Sequence, residues 1–241
     1  MRTVVAPLVL TVLLPAVAIV TPAHAAGPLK VRSAKATGSP VITADGKAKV
    51  PIRVRVTGTR ITDVDATLRL PNGKGFALVS DLKRASGTAG DGIYKGTAVL
   101  DKADWGGKYT LEVGATDGTS GNAYYDFVIH RKAGAITVRR AAKLSSTSPA
   151  RAVKGAKAKA KGTVKGLTLK GGFSGLKGAT VQIWFRPKGG KAVRLGTAKT
   201  NAKGAYTFTF KASADGSVSA RFPGGTQWQK RSTAWKALDV T

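Results

Sequence analysis

The sequence predicts an all-β protein, two tandem Greek-key β-sandwiches behind a cleaved signal peptide. Short runs alternate apolar with polar residues, the period of two that a strand with one buried face requires. Clusters of Gly, Pro, Asn and Asp interrupt these runs at near-regular spacing, as the turns of a sandwich do. The length beyond residue 25 fits two domains of roughly 100 residues each, expected at 26–133 and 134–241.

Residues 1–25 carry Arg2, an apolar run over 4–20, the Thr21-Pro22 break and the small-residue site Ala23-His24-Ala25, the pattern of a Sec-type leader. A secreted product is expected, extracellular or held at the cell wall and not membrane-spanning once the leader is removed. Cysteine is absent, so core packing must hold the fold without disulfides. The first strand is expected at 29–35. Over 47–57, Val50, Ile52, Val54 and Val56 alternate with Pro51, Arg53 and Arg55; Pro51 lacks a donor and points to an edge strand or a bulge. Strands at 63–70 and 75–79 flank the Pro71-Asn72-Gly73 turn, and 85–91, rich in Gly, Ser and Thr, reads as a loop. Runs at 93–100, 107–116 and 122–130 complete seven short strands, as a Greek-key sandwich needs.

The second half is expected to open with a strand at 136–143. Over 154–165 Lys alternates with Ala, Gly or Val, which suits a strand with a basic outer face or a disordered basic linker; continued alternation through Val164 favours the strand. Three runs follow at 180–186, 192–200 and 206–210, separated by Pro187-Lys188-Gly189-Gly190 and Asn201-Ala202-Lys203-Gly204. They read as an antiparallel meander, with Val181, Ile183 and Phe185 inward and Tyr206, Phe208 and Phe210 alternating with threonines. Runs at 218–222 and 234–240 close the domain.

At Asp91-Gly92-Ile93-Tyr94, at Gly107-Lys108-Tyr109-Thr110-Leu111, and at Ala115-Thr116-Asp117 leading into Gly121-Asn122, the first half resembles bacterial immunoglobulin-like domains. The second half resembles a β-sandwich repeat of secreted Gram-positive proteins. It does so through Lys177-Gly178-Ala179, Trp184-Phe185-Arg186-Pro187, Ala202-Lys203-Gly204 and Asp215-Gly216. The resemblance implies a structural or adhesive module and no enzymatic role.

Charge separates the halves. The formal net charge is +28; 17 Lys/Arg stand against 10 acids over 26–133, and 22 stand against only Asp215 and Asp239 over 134–241. Such a field attracts polyanions. Anionic polymers of the cell wall or surroundings are therefore the expected partners, with a protein partner at a sheet edge as the alternative and no specific nucleic acid. The binding candidates are Trp184, Arg186, Trp228, Lys230 and Arg231, joined by Lys157, Lys159 and Lys161. Exposed indoles stack on a ring while cations hold the anion. Trp184 also fits a position covered by a neighbouring strand.

Catalysis finds little to work with. Beyond the leader His130 and Glu112 are the single histidine and glutamate; His130 reads as a strand-end residue and Glu112 as outward, so neither a triad nor a carboxylate pair is supported. No enzyme and no organic cofactor are expected. Asp91, Asp117, Asn122 and Asp126, near predicted strand ends, offer oxygen ligands to calcium, although the same residues serve ordinary turns.

Overall fold

The computed structural model describes residues 27–73, 75–118 and 126–241; the segment expected to be a leader, 1–25, and Asn122 lie outside them. Every regular element among the described residues is a β-strand, and no helix there is long and apolar enough to cross a membrane.

One sheet of the first sandwich has the order β1 (Lys30–Ala36), β3 (Ala48–Thr57), β7 (Asp91–Leu100), β6 (Lys83–Gly87). The facing sheet runs β2 (Val41–Ile42), β9 (Phe127–Arg140), β8 (Gly107–Asp117), β4 (Ile61–Arg69), β5 (Phe76–Val79). A four-strand sheet facing one built on the β4, β8 and β9 partners is the immunoglobulin-type arrangement. Alternation decides which side each residue takes: Val50, Ile52, Val54 and Val56 point inward from β3 toward Leu68, Leu111 and Val113 of the other sheet, all buried. Tyr109, near the start of β8, is fully buried and its hydroxyl donates to the Trp105 carbonyl 2.7 Å away. That is the tyrosine corner of immunoglobulin-type sandwiches.

The second sandwich repeats the order. One sheet holds β10 (Ala142–Thr147), β12 (Lys157–Leu167) and β16 (Ala205–Lys211), with β13 (Phe173–Gly175) beside the end of β12. The other runs β11 (Arg151–Ala152), β19 (Lys236–Val240), β17 (Gly216–Phe222), β14 (Thr180–Pro187), β15 (Val193–Lys199), and β18 (Arg231–Ser232) also pairs with β17. Ala158, Ala160 and Val164 of β12 meet Val181, Ile183 and Phe185 of β14 in the core. The Asn201–Gly204 turn forms as its residues dictate: Asn201 Oδ1 accepts from the amides of Lys203 and Ala205, and Gly204 takes φ 75°.

Several expectations are corrected. The 180–210 region is no simple meander: β14 and β15 form a hairpin, but β16 crosses to the other sheet and pairs with β12. Crossing carries Tyr206 and Phe210 to the opposite wall of the same core, which a third strand in the hairpin's sheet could not do. Residues 85–87, expected to open a loop over 85–91, belong to the edge strand β6 (Lys83–Gly87). Its five residues are all exposed, so it carries no alternation to read. Pro51 lies in β3, an interior strand. Its carbonyl accepts from the Thr37 amide just past the end of β1, and the N–H that proline lacks is the one that would have returned that bond, so the β1–β3 pairing stops at Ala36 and Ile52.

The boundary expected at 133/134, with a new strand at 136–143, falls inside β9. That strand stays paired with β8 as far as Val138, and β10 begins at Ala142. A single residue, Ala141, separates the last strand of one sandwich from the first of the next. Arg140 fixes this passage. It is 1% exposed, and its guanidinium donates to the carbonyls of Leu167 (3.0 Å), Lys102 (2.9 Å) and Asp104. Its backbone pairs with Gln227 and Gln229 of the second sandwich. Leu167 packs into the first core, so the two units share buried surface at the junction.

Candidate functional site: basic faces of the second sandwich

Alternation on β12 exposes Lys157, Lys159 and Lys161 while Ala158 and Ala160 enter the core. The expected basic strand is therefore real, and pairing widens it into a face. Thr147, Ser145 and Lys143 of β10 stand opposite Lys161, Thr163 and Lys165, and on the other flank Thr207, Thr209 and Lys211 of β16 stand opposite Lys161, Lys159 and Lys157. Apart from Ala205 at one corner and Leu167, which packs into the first core at the end of β12, the outward residues of these three strands are Lys, Ser or Thr. Lysines two apart along β12 sit about 6.6–6.8 Å apart. None of these lysines has an ion-pair partner among the described residues, and Asp215 and Asp239 lie together at the end of the other sheet, with Asp215 accepting from the Val240 amide. Ammonium donors and hydroxyls thus share one flat face that holds no carboxylate.

The other sheet carries the aromatic candidates. Gln182, Trp184 and Arg186 project outward from β14, opposite Arg221, Ser219 and Ser217 of β17. Trp184 is half-buried, its indole N–H donating to Gln182 Oε1 at 3.2 Å. The Arg221 guanidinium lies over the Trp184 ring at 4.3 Å, and Arg186 lies over Trp235 at 4.8 Å. Trp184 and Arg186 are therefore brought together with Arg221 and Trp235, two residues that the sequence reading missed. Trp235 lies inside the run expected at 234–240, but β19 begins only at Lys236, so its place beside Arg186 and Arg221 depends on an irregularity that the run did not show. Arg221 was findable, since its place in the 218–222 run puts it on the outward side.

Trp228 does not join them. Its ring packs so closely on the backbone of Gly166 that a Cβ there would lie 2.5 Å from it, and it contributes to the second core at the junction with Arg140. Arg231 donates to the Ala142 carbonyl at 2.7 Å, and Lys230 is exposed beside it.

The carboxylates offered to calcium do not converge. Asp91 is engaged by Arg55 through both oxygens, which holds its carboxyl below the usual carboxylate range. Asp117 is buried and accepts the amides of Thr59 and Arg60, closing the turn between β3 and β4. Asp126 meets Asp117 through a backbone hydrogen bond. No group of three ligating side chains exists among the described residues, and Asn122 lies outside them. His130 sits within β9 rather than at a strand end, and is exposed; Glu112 faces outward near Arg69 and Arg131.

No protein-family model and no curated protein matches the chain. Among solved structures it is similar to red sea bream transglutaminase, at 14% identity over 89% of this chain and 31% of that one with a TM-score of 0.34. It is similar also to the D0-D1 domain of intimin, at 16% identity over 87% and 98% with a TM-score of 0.29. The superoxide reductase of Ignicoccus hospitalis matches at 16% identity over 41% and 80% with a TM-score of 0.30. Likenesses this weak carry no argument about function, and the immunoglobulin-type assignment stands on strand order and the tyrosine corner.

Proposed function

We propose that the chain is a secreted, non-enzymatic binding module that holds anionic polymers of the cell wall or its surroundings through the second sandwich. The observation that carries this reading is the carboxylate-free Lys/Ser/Thr face of β10, β12 and β16. Keeping a small domain soluble needs charge of either sign, whereas here one sign is concentrated on a flat surface. An extended polyanion laid along β12 meets a cation at every second residue and a hydroxyl on either flank. Displacing its counterions drives the association, so affinity falls steeply with salt.

The test is a salt series on an immobilised polyphosphate or teichoic-acid-type polymer. Replacing Lys157, Lys159 and Lys161 together by Gln is expected to reduce the slope of log K against log salt by about 2–3. An unchanged slope would show that the lysine face does not hold the polymer.

A second reading has an observation of its own. Among the described residues β5 pairs only with β4, and Phe76 and Leu78 on this edge strand are 62% and 58% exposed. Exposed apolar residues on an unpaired edge suit a protein partner that adds a strand there. Retention of a supernatant protein at high salt, lost on Phe76→Ser with Leu78→Ser, would favour this reading; retention only at low salt would favour the first.

A further inference from the structure

We propose that the groove beside Trp235 binds a pyranose ring bearing an anionic group, a uronic acid or a sugar phosphate. The ligand shares its negative charge with the polymer of the proposed function, but the surface is a different one, on the opposite sheet.

The groove is built by an irregularity in the sheet. β17 pairs first with Ser232, opposite Arg221, and then with Lys236, opposite Val218. Between these points two residues of β17 face three of the other chain, Thr233, Ala234 and Trp235, which is a bulge. Thr233 takes up the slack: its amide donates to the Ala220 carbonyl at 3.0 Å, and its Oγ1 accepts from the Ala220 amide at 3.0 Å. Its carbonyl accepts from Ser219 Oγ at 3.0 Å, and Ser219, though on the outward side, is 2% exposed. The extra residue turns Trp235 across the sheet face, where its ring meets Arg186 at 4.8 Å and Arg221 at 5.9 Å.

A cavity of about 580 Å³ opens next to it, within the usual size range of small-ligand sites. Trp235, Lys230, Arg231 and Ser232 line it, together with Gln182 and Arg221, which stand opposite each other on β14 and β17. Arg186, which lies over the Trp235 ring, is not among the lining residues, whereas Trp235 itself and Arg221, 5.9 Å from the ring centre, are. No carboxylate is among the lining residues.

Three features select the ligand. The guanidinium of Arg221 is held in position by the Trp184 ring and has neither a hydrogen-bond acceptor nor an ion-pair partner among the described residues. A pre-oriented planar fork with its donors unspent matches the two oxygens of a carboxylate or phosphate. Lys230 and Arg231 add further positive charge to the lining, Arg231 with its Nε committed to the Ala142 carbonyl. Gln182 spends its oxygen on Trp184 and leaves its amide nitrogen, with the Ser232 hydroxyl, for ring hydroxyls. The indole surface suits the apolar face of a pyranose. A linear polyanion without rings has no use for Trp235, which is what separates this groove from the lysine face.

The test uses the full chain beyond the leader, with tryptophan emission and calorimetry as readouts. The probes are trigalacturonate, glucose 6-phosphate, maltotriose as the neutral control and polyphosphate as the ringless anion. Saturable one-to-one binding of trigalacturonate or glucose 6-phosphate is expected, and the stronger of the two identifies the anionic group. Maltotriose is expected to bind at least tenfold more weakly. Arg221→Gln and Trp235→Ala should each weaken binding at least tenfold, and Lys230→Gln, an exposed change that leaves the ladder intact, should weaken it severalfold. Replacing Lys157, Lys159 and Lys161 by Gln should leave small-sugar binding within twofold while lowering polyphosphate affinity. No binding of either acidic probe at millimolar concentration overturns the proposal. So does equal binding of maltotriose, or loss of small-sugar binding in the lysine variant but not in the groove variants. Failure of the groove leaves polyphosphate retention intact, and failure of the lysine face leaves the groove intact, so the two readings fall separately.

Discussion

The hydroxyl of Tyr109 is buried beneath the first sandwich's end, and burial is the main reason its pKa is pushed up to about 12; Asp104 adds to the rise and Arg140 opposes it. In the unfolded chain the same phenol titrates near 10. The folded state therefore favours the neutral form. Its contribution is fully present below pH 10 and is lost as pH rises through about 12, a difference of about 2–3 kcal/mol. Denaturant unfolding at pH 8 and pH 11 should show a steeper alkaline loss in the natural protein than in Tyr109→Phe, which is expected to cost about 1 kcal/mol at neutral pH through the lost bond to Trp105. Equal losses would mean that other groups set the alkaline limit. At this scale the sequence was legible where side-chain direction follows from alternation alone, as for Lys157, Lys159 and Lys161. It was not legible where direction depends on a distant contact. Trp228 turns inward because Gly166, more than sixty residues away, leaves room for its ring, and Asp117 is consumed by amides across the sandwich.

Among the elements, those with one buried face were readable and those without one were not. β3, β8, β12 and β14 alternate cleanly because each faces a core, whereas β6 is exposed throughout and left no pattern. The sheet to which β16 belongs was hidden for a different reason: alternation says that Tyr206 and Phe210 are buried but not which wall they build. The interruption between β18 and β19 was likewise unseen, since a bulge is defined by its partner strand. Its importance can be measured. Thr233→Val removes the oxygen that accepts from the Ala220 amide while keeping the volume, and should cost about 1–3 kcal/mol by leaving that amide unpaired. Tryptophan emission should shift as Trp235 leaves Arg186 and Arg221. Unchanged stability and emission would show that the ladder holds the bulge, rather than the bulge the ladder. On β12, Gly166→Ala forces a Cβ against Trp228 and Leu176, and thermal unfolding should register a loss of about 1–3 kcal/mol.

For the whole molecule the decisive residue is Arg140, whose partners lie on both sandwiches: Lys102 and Asp104 before the junction, Leu167 after it. Burial lowers its pKa, Asp104 and Tyr109 raise it, and three carbonyls satisfy the guanidinium without a carboxylate. Removing it leaves the Leu167 carbonyl buried and unpaired, at roughly 1–3 kcal/mol, and the part-buried Lys102 and Asp104 carbonyls without their donor. With only Ala141 between β9 and β10, a unit that unfolds must release this network, so the two sandwiches are expected to melt in a single calorimetric transition. Arg140→Leu should lower the melting temperature and split that transition in two. The split also exposes the uneven charge. The second sandwich, from Ala142 on, holds 20 Lys/Arg against two acids and repels itself far more than the first, so its transition should move up with added salt while the other stays nearly fixed. If the natural protein already melts in two steps, Arg140 does not couple the units. If both steps of the variant respond equally to salt, self-repulsion is not what limits the basic one.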